Sequence, residues 1–433
     1  MFIVEPVLLH RGYRYRIYPT PAQVERLTGW EAALRFLWNV AHEQRVLSTL
    51  ARCRVDRRYL SHFDQTKELT LLRAELPWLA EVPQHLCSSM LDDLDKSWRR
   101  FWDGTGGKPR FKSKKRGDVT SLKEYDGRAF RLSGEGRSGT LTYPKIGQLR
   151  ATVHRPLLGK QKSCSVTREG DAWYASIMCE LEVEDPTPAL GPPLAIDVGI
   201  AHLLADSDRR LVANPRAGDA LSELVARAQR VVARRERGSK NQAKAKRRVV
   251  ALQRKARRQR DHVLHVESTK IAREQHCAVI LEDLDIQSMM RSAKGTVEKP
   301  GRNVSQKAGL NRSIADAGWG RFGELLEYKL AEHGSRIVRV KPAFSSQTCA
   351  SCGHVDAASR ATRDQFACVA CGHTDHADLN AAAVLLERGK IKLSAELADT
   401  ACGGVAAMQP MKQERRAAKR VTRKRGESQG SQP

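Results

Sequence analysis

Long apolar runs are missing from this sequence: none approaches the ~20 residues that a membrane-spanning helix needs, so no span is expected. The apolar start, Phe2 to Leu9, is short, carries Glu5, and lacks both a basic flank and a small-residue cleavage site. It is not expected to act as a secretory signal. A disulfide framework is also absent. Of ten cysteines, six are scattered (Cys53, Cys87, Cys164, Cys179, Cys277 and Cys402), which fits a reduced, cytoplasmic chain. No internal repeat is found. Acidic residues are in deficit, with 49 Asp and Glu against 75 Lys and Arg among 433 residues, a net charge of +26.

That charge is spread along the chain. Residues 411–433 hold eight basic and two acidic side chains, so most of the excess lies elsewhere. Cations that neutralise phosphates gain from counterion release, so the balance points to a polyanionic partner and says nothing of fold. The densest stretch, Arg227 to Arg260, carries fifteen Lys and Arg and one Glu, and reads as a basic helix. A second basic segment, Lys108 to Arg116, has Phe111 interleaved. A solvated charged face is the plainer alternative for either stretch.

Periodicity then divides the chain. Tyr13 to Tyr18 alternates with period two and predicts a half-buried strand. Thr20, Pro21 and Gln23 form the start signal of a helix, with Gln23 placed to complete a capping box. Helical spacing persists to about Phe101 and ends at Gly104-Thr105-Gly106-Gly107. Residues 121–184 are Gly-rich with short β-like runs, so the first strand and residues 107–185 are expected to form one β domain interrupted by helices. After a Pro-rich linker, two apolar strands at 194–200 and 278–284 alternate with helical stretches at 218–275 and 313–333, then a strand at 336–340. This is an α/β pattern. A helix is expected from Asp378 to about Arg388, and an aperiodic basic tail from Gln409 onward.

The remaining cysteines form two matched pairs, Cys349-x2-Cys352 and Cys368-x2-Cys371, each followed by Gly-His. Two thiolates on each of two turns converge naturally into a tetrahedral S4 site, a structural zinc site with no position left for catalysis. Four unrelated buried cysteines would be the alternative.

Three acids stand out on the α/β part. Asp197 lies within an apolar strand, where a carboxylate faces a heavy desolvation cost unless something binds it. Glu282 ends the second apolar strand, with Asp283 and Asp285 competing for the same role. Asp378 opens a helix whose Ala382 and Leu385 share its face. Each alone has an ordinary explanation, as a turn acid, a solvated strand end or a capping residue. Together they suggest a site for two divalent cations ~4 Å apart, with hard oxygen donors favouring magnesium or manganese.

The ordered blocks Tyr13–Gln23, Lys108–Lys115, Ala195–Ile200, Leu281–Leu284, Leu310–Gly320, Ser345–Cys349 and Asp378–Ala382 resemble the TnpB family of transposon-encoded RNA-guided nucleases, which is related to compact type V CRISPR effectors. The resemblance covers roughly residues 10–390. It implies a mixed α+β multidomain fold: a RuvC-like, ribonuclease-H-like α/β nuclease domain (191–340 plus 374–408) with an inserted zinc ribbon (341–373). A wedge-type β-barrel (1–20 plus 107–190), a helical recognition lobe (21–106) and a disordered tail (409–433) complete it. It places the catalytic, magnesium- or manganese-binding carboxylates on Asp197, Glu282 and Asp378, and zinc on Cys349, Cys352, Cys368 and Cys371. Its implied partners are a guide RNA and target double-stranded DNA. Candidate nucleic-acid contacts are Lys108, Arg110, Lys112, Lys114, Arg234, Arg247 and Arg254. A CRISPR effector using a CRISPR RNA, or an RNA-guided DNA-binding protein without cleavage, would share these motifs.

Overall fold

The computed structural model describes residues 7–51, 60–114, 120–183, 186–295, 298 and 300–402. The expected basic tail from 409 onward lies outside these residues, as do Lys115 and Arg116. The chain forms two compact units. One takes in residues 1–189, 215–275 and 312–334, the other 190–214, 276–311 and 335–433.

In the first unit, strand β1 (Val7–Tyr18) leads into helix α1 (Pro21–Ala51). Thr20 and Gln23 close the expected capping box reciprocally. Helices α2 (His62–Glu75), α3 (Pro77–Ala80) and α4 (Gln84–Trp102) follow. Strands β2 (Leu122–Glu124), β3 (Arg131–Ser133), β4 (Gly136–Tyr143), β5 (Gly147–Val153), β6 (Lys160–Glu169) and β7 (Ala172–Val183) then return to the first strand. The sheet order is β2-β6-β7-β1-β5-β4-β3, and every pairing is antiparallel. Strand β1 thus sits between β7 and β5, although 128 residues separate Tyr18 from Gly147 in sequence. Its period-two pattern sends Tyr13, Tyr15 and Ile17 into a core shared with Leu27, Trp30, Leu34 and Trp98 of the helices, while Arg14 and Arg16 face outward.

The second unit holds β8 (Leu194–Val198), β9 (His202–Asp206) and β10 (Leu211–Ala213). Helices α5 (Ala217–Arg234) and α6 (Lys240–Arg273) then belong to the first unit. The expected single basic helix is therefore two, packed along one another. Gly238 at φ +88° makes the turn, and Ser239 caps α6 through the Gln242 amide. Back in the second unit come β11 (Ala278–Glu282) and α7 (Ile286–Met289). A second expected helix also splits, into α8 (Val304–Ala317) and α9 (Trp319–Glu332), because Gly318 adopts φ +72° between them. The division between units falls within α8, between Asn311 and Arg312. Strand β12 (Arg336–Val340), the small hairpin β13 (Gln365–Ala367) with β14 (Thr374–His376), and the long helix α10 (Ala377–Cys402) finish the second unit.

The five-stranded sheet of this unit has the order β10-β9-β8-β11-β12, with β8, β11 and β12 parallel. One face is read directly from the alternation of side chains. Ala195, Ala278, Ile280, Val338 and Val340 lie together in a core closed by Leu385 of α10. Continuing the same alternation, Asp197 follows Ala195 and Glu282 follows Ile280 onto the face that α10 covers. The strand periodicity thereby puts Glu282, the last residue of β11, on the covered face. The helix approaches closely because residue 389 is glycine: a Cβ there would meet the Ile280 side chain at 2.2 Å.

Gly389→Ala is therefore expected to destabilise the second unit by about 1–3 kcal/mol, the usual range for overpacking. Adding Ile280→Ala, which vacates the same space, should cost less than the sum of the two single changes. Denaturant unfolding of the four proteins checks this, and strict additivity would show that the close approach is unimportant.

Candidate active site and metal centre

The parallel strands end where the acids lie. Asp197 is the penultimate residue of β8 and Glu282 the last of β11, so both sit at the carboxyl edge of the sheet, where ligands of α/β sheets are usually held. Helix α10 delivers Asp378 from its first turn, with Ala382 and Leu385 fully buried beneath it. Burial is the main cause that drives the Asp197 carboxyl up to about 7. The negative charges of Glu282 and then Asp378 push the same way, and the Arg360 guanidinium opposes them. Burial also raises Glu282, against a hydrogen bond from Ser345 and the nearby charge of Arg388.

The surroundings orient these acids. Ser345 Oγ donates to Glu282 Oε1 at 2.7 Å. His202 Nδ1 lies within hydrogen-bond distance of Asp378 Oδ2, at 3.1 Å. Arg360 stands 3.8 Å from Asp378 Oδ1. The Asp378 amide donates to His376 Nδ1 at 3.2 Å. Ligand atoms of His202, His376 and Asp378 all come within 4.8 Å of one another, a mixed nitrogen and oxygen set. The three carboxylates do not form so tight a group among the described residues. Oxygens that serve two cations ~4 Å apart need not touch each other, and in the absence of a cation their charges repel. Neither histidine was singled out in the sequence. The available signal was position: His202 opens the strand hairpinned to β8, and His376 lies two residues before Asp378.

The four cysteines form the second centre. Sγ atoms of Cys349 and Cys371, and of Cys352 and Cys368, are each 3.7 Å apart. All four lie within 4.8 Å of one another. Zn–S bonds of ~2.3 Å in a tetrahedron give S···S edges of ~3.8 Å, so the set fits a structural zinc. The two halves are built alike. Gly353 and Gly372 donate to the carbonyls of Cys349 and Cys368 at φ values of +75° and +73°. Those cysteine amides in turn donate to His354 and His373. Fully buried Asn380 on α10 then ties this ribbon to the acid-bearing helix, donating to Thr348 O at 2.7 Å and accepting from Ala350 N at 2.9 Å.

The basic candidates differ from one another. Lys108, Arg110, Lys114, Arg234 and Arg247 are exposed. Lys112 is docked, with its ammonium 4.0 Å from the Trp38 ring and its amide donating to Asn39. Arg254 is turned inward, its guanidinium donating to the Glu169 carbonyl. Arg257 and Arg14 reach the Glu169 carboxylate, and Arg258 the Tyr174 hydroxyl, so this part of α6 binds the sheet of its own unit. Burial, the largest single influence, raises Glu169, but Arg14 and Arg257 together hold it below the usual carboxylate range.

Comparison with known proteins accords with this geometry. A protein of Escherichia coli (strain K12) named "Putative RNA-guided DNA endonuclease InsQ" is 33% identical over 341 residues, which is 78% of this chain and 81% of its own length. The chain belongs to the TnpB family. A Streptomyces pristinaespiralis protein named "Putative RNA-guided DNA endonuclease" is 30% identical over 352 residues, 80% of this chain and 81% of its own. Residues 176–293 match the family described as "Probable transposase", and residues 319–385 the Cas12f1-like TNB domain. Residues 9–45 match a helix-turn-helix domain, though here that segment folds as β1 and one long helix. A cryo-EM structure of a Cas12f1–sgRNA–target DNA complex shares the fold, with TM-score 0.55 at 14% identity, covering 88% of this chain and 99% of that one.

Two outcomes follow for this TnpB-family chain. Cys349→Ser combined with Cys352→Ser should unfold the ribbon and release zinc, reducing metal analysis from one zinc per chain to none. For Asp197, the folded carboxyl binds its proton more tightly than the unfolded one, near 3.9. Its stabilising effect is present at low pH and lost as pH rises through about 7. In zinc-loaded, magnesium-free protein at pH 8, Asp197→Asn should therefore exceed wild type in stability by on the order of 1–3 kcal/mol, a difference that shrinks towards pH 4. Thermal unfolding across pH measures it.

Proposed function

We infer that this chain is an RNA-guided DNA endonuclease of the TnpB type, which hydrolyses phosphodiester bonds at Asp197, Glu282 and Asp378. The reading is carried by one observation: an apolar sheet face that ends in two acids, capped by a helix that brings a third. Ionised together, these groups repel and are partly desolvated, so the site has an affinity for divalent cations built into it. The donor set is hard oxygen and fits Mg2+ or Mn2+, with Asp197, Glu282 and Asp378 as the holding residues. When bound, such ions polarise the scissile phosphate and lower the pKa of water. The chain's own contribution is placement: Ser345 orients Glu282, and the His202 ring orients Asp378.

The five-stranded sheet with α10 supports a RuvC-like, ribonuclease-H-like core, with the zinc ribbon beside the target strand. The interrupted seven-stranded sheet supports a wedge-type barrel for 1–20 plus 107–190, and the inserted helices a recognition lobe. Guide RNA and target double-stranded DNA are the partners. Their phosphates are met by exposed cations such as Lys108, Arg110, Lys114, Arg234 and Arg247, while base pairing with the guide reads sequence.

The test uses protein purified with its co-expressed RNA, with a matched duplex and magnesium. Wild type should cut, and Asp197→Ala should fall by on the order of 10³-fold or more while still retaining RNA. Equal cleavage by both proteins would refute the site.

A further inference from the structure

Loop 341–348 joins β12 to the zinc ribbon, and it holds a residue that the cation site leaves unexplained. Phe344 adopts φ +59°, the left-handed region that side chains with a Cβ avoid. The residue is 62% exposed. A large apolar side chain in a disfavoured backbone state, facing water, gains nothing from either feature, yet its neighbours fix it there. The Phe344 carbonyl accepts from the Gln347 amide at 3.0 Å, and from the Thr348 amide and hydroxyl at 3.0 and 2.7 Å. Arg388 of α10 donates to the Lys341 and Ala343 carbonyls, both at 2.9 Å. The next residue, Ser345, donates to Glu282. A strained residue held by its surroundings is a recurring mark of functional sites. This one stands a single residue from the group that orients a proposed catalytic acid.

We propose that Phe344 is a stacking platform for an unpaired DNA base, holding the single strand so that its phosphate enters the Asp197–Glu282–Asp378 site. This rests on the nuclease reading above. An aromatic face suits the task because every base offers a π-surface, so stacking positions a strand without selecting sequence. The left-handed turn aims the ring outward, while the hydrogen bonds on both sides transmit its position to Glu282.

The experiment compares wild type with Phe344→Trp, Phe344→Ala and Phe344→Gly in the assembled RNA complex. Glycine tolerates φ +59° freely, so Phe344→Gly should be at least as heat-stable as wild type. Even so, both Gly and Ala should cleave about 10- to 100-fold more slowly under single-turnover conditions, while Trp stays near wild type. With 2-aminopurine in the displaced strand, wild type and Trp should quench its fluorescence and Gly should not. Wild-type cleavage and quenching by Phe344→Gly would overturn the proposal, as would loss of activity that tracks loss of stability across the set. Asp197→Ala separates the two readings: it should abolish cleavage while keeping the quenching. Cleavage by that variant would defeat the nuclease site itself.

Discussion

Charge placed on an apolar surface is the constraint on which the second unit depends. Strands β8 and β11 carry Ala195, Ala278 and Ile280 on the face beneath α10, and the same face then continues into Asp197 and Glu282. The apolar residues hold the helix down, and the acids at the edge resist it. Burial and mutual repulsion already raise Asp197 to about 7, so the metal-free site has free energy to gain from a cation. The packing that buries these acids makes the site costly for the fold, and on the proposed reading a cation would offset that cost. An enzyme built this way trades stability for a preorganised centre.

Helix α10 carries most of that arrangement. Its first turn supplies Asp378 and, through its fourth residue Asn380, a tie to the ribbon, and in its middle Arg388 holds the loop that carries Ser345. Gly389 lets the whole helix lie close to Ile280. These contacts lie within four turns of one rigid element, so displacement at any one would be felt at the others. Through Asn380 and loop 341–348 the cysteine ribbon is tied to the helix that carries Asp378 and to Ser345, which donates to Glu282.

Much of this was legible in the sequence because it rests on local rules. The capping box at Thr20, the alternation from Tyr13 to Ile17, the strand at 336–340 and the paired cysteine turns all depend on residues near one another in sequence. The placement of Glu282 on the covered face was not local, since alternation alone cannot say which face is covered until α10 is in place. The two missed helix breaks lie at Gly238 and Gly318, where a single positive φ outweighs an otherwise unbroken helical pattern. His202 and His376 formed no recognisable motif, because they meet Asp378 from two separate elements, β9 and the end of the β13–β14 hairpin. Phe344 was hidden for a different reason: nothing in an amino-acid string reports a left-handed backbone at a residue that usually avoids it.

The basic residues show where a composition argument stops. A net charge of +26 identifies the class of partner, because phosphates reward any accessible cation. It does not identify the contacts. Within one helix, Arg247 is exposed, whereas Arg254, Arg257 and Arg258 are engaged by Glu169 and Tyr174 of the neighbouring sheet. Those three hold a long cationic helix against the protein despite its self-repulsion. Without these acceptors, the Glu169 carbonyl for Arg254, its carboxylate for Arg257 and the Tyr174 hydroxyl for Arg258, the helix would have less reason to stay docked. Part of the positive charge therefore stabilises the scaffold, and another part, Arg247 among it, is exposed.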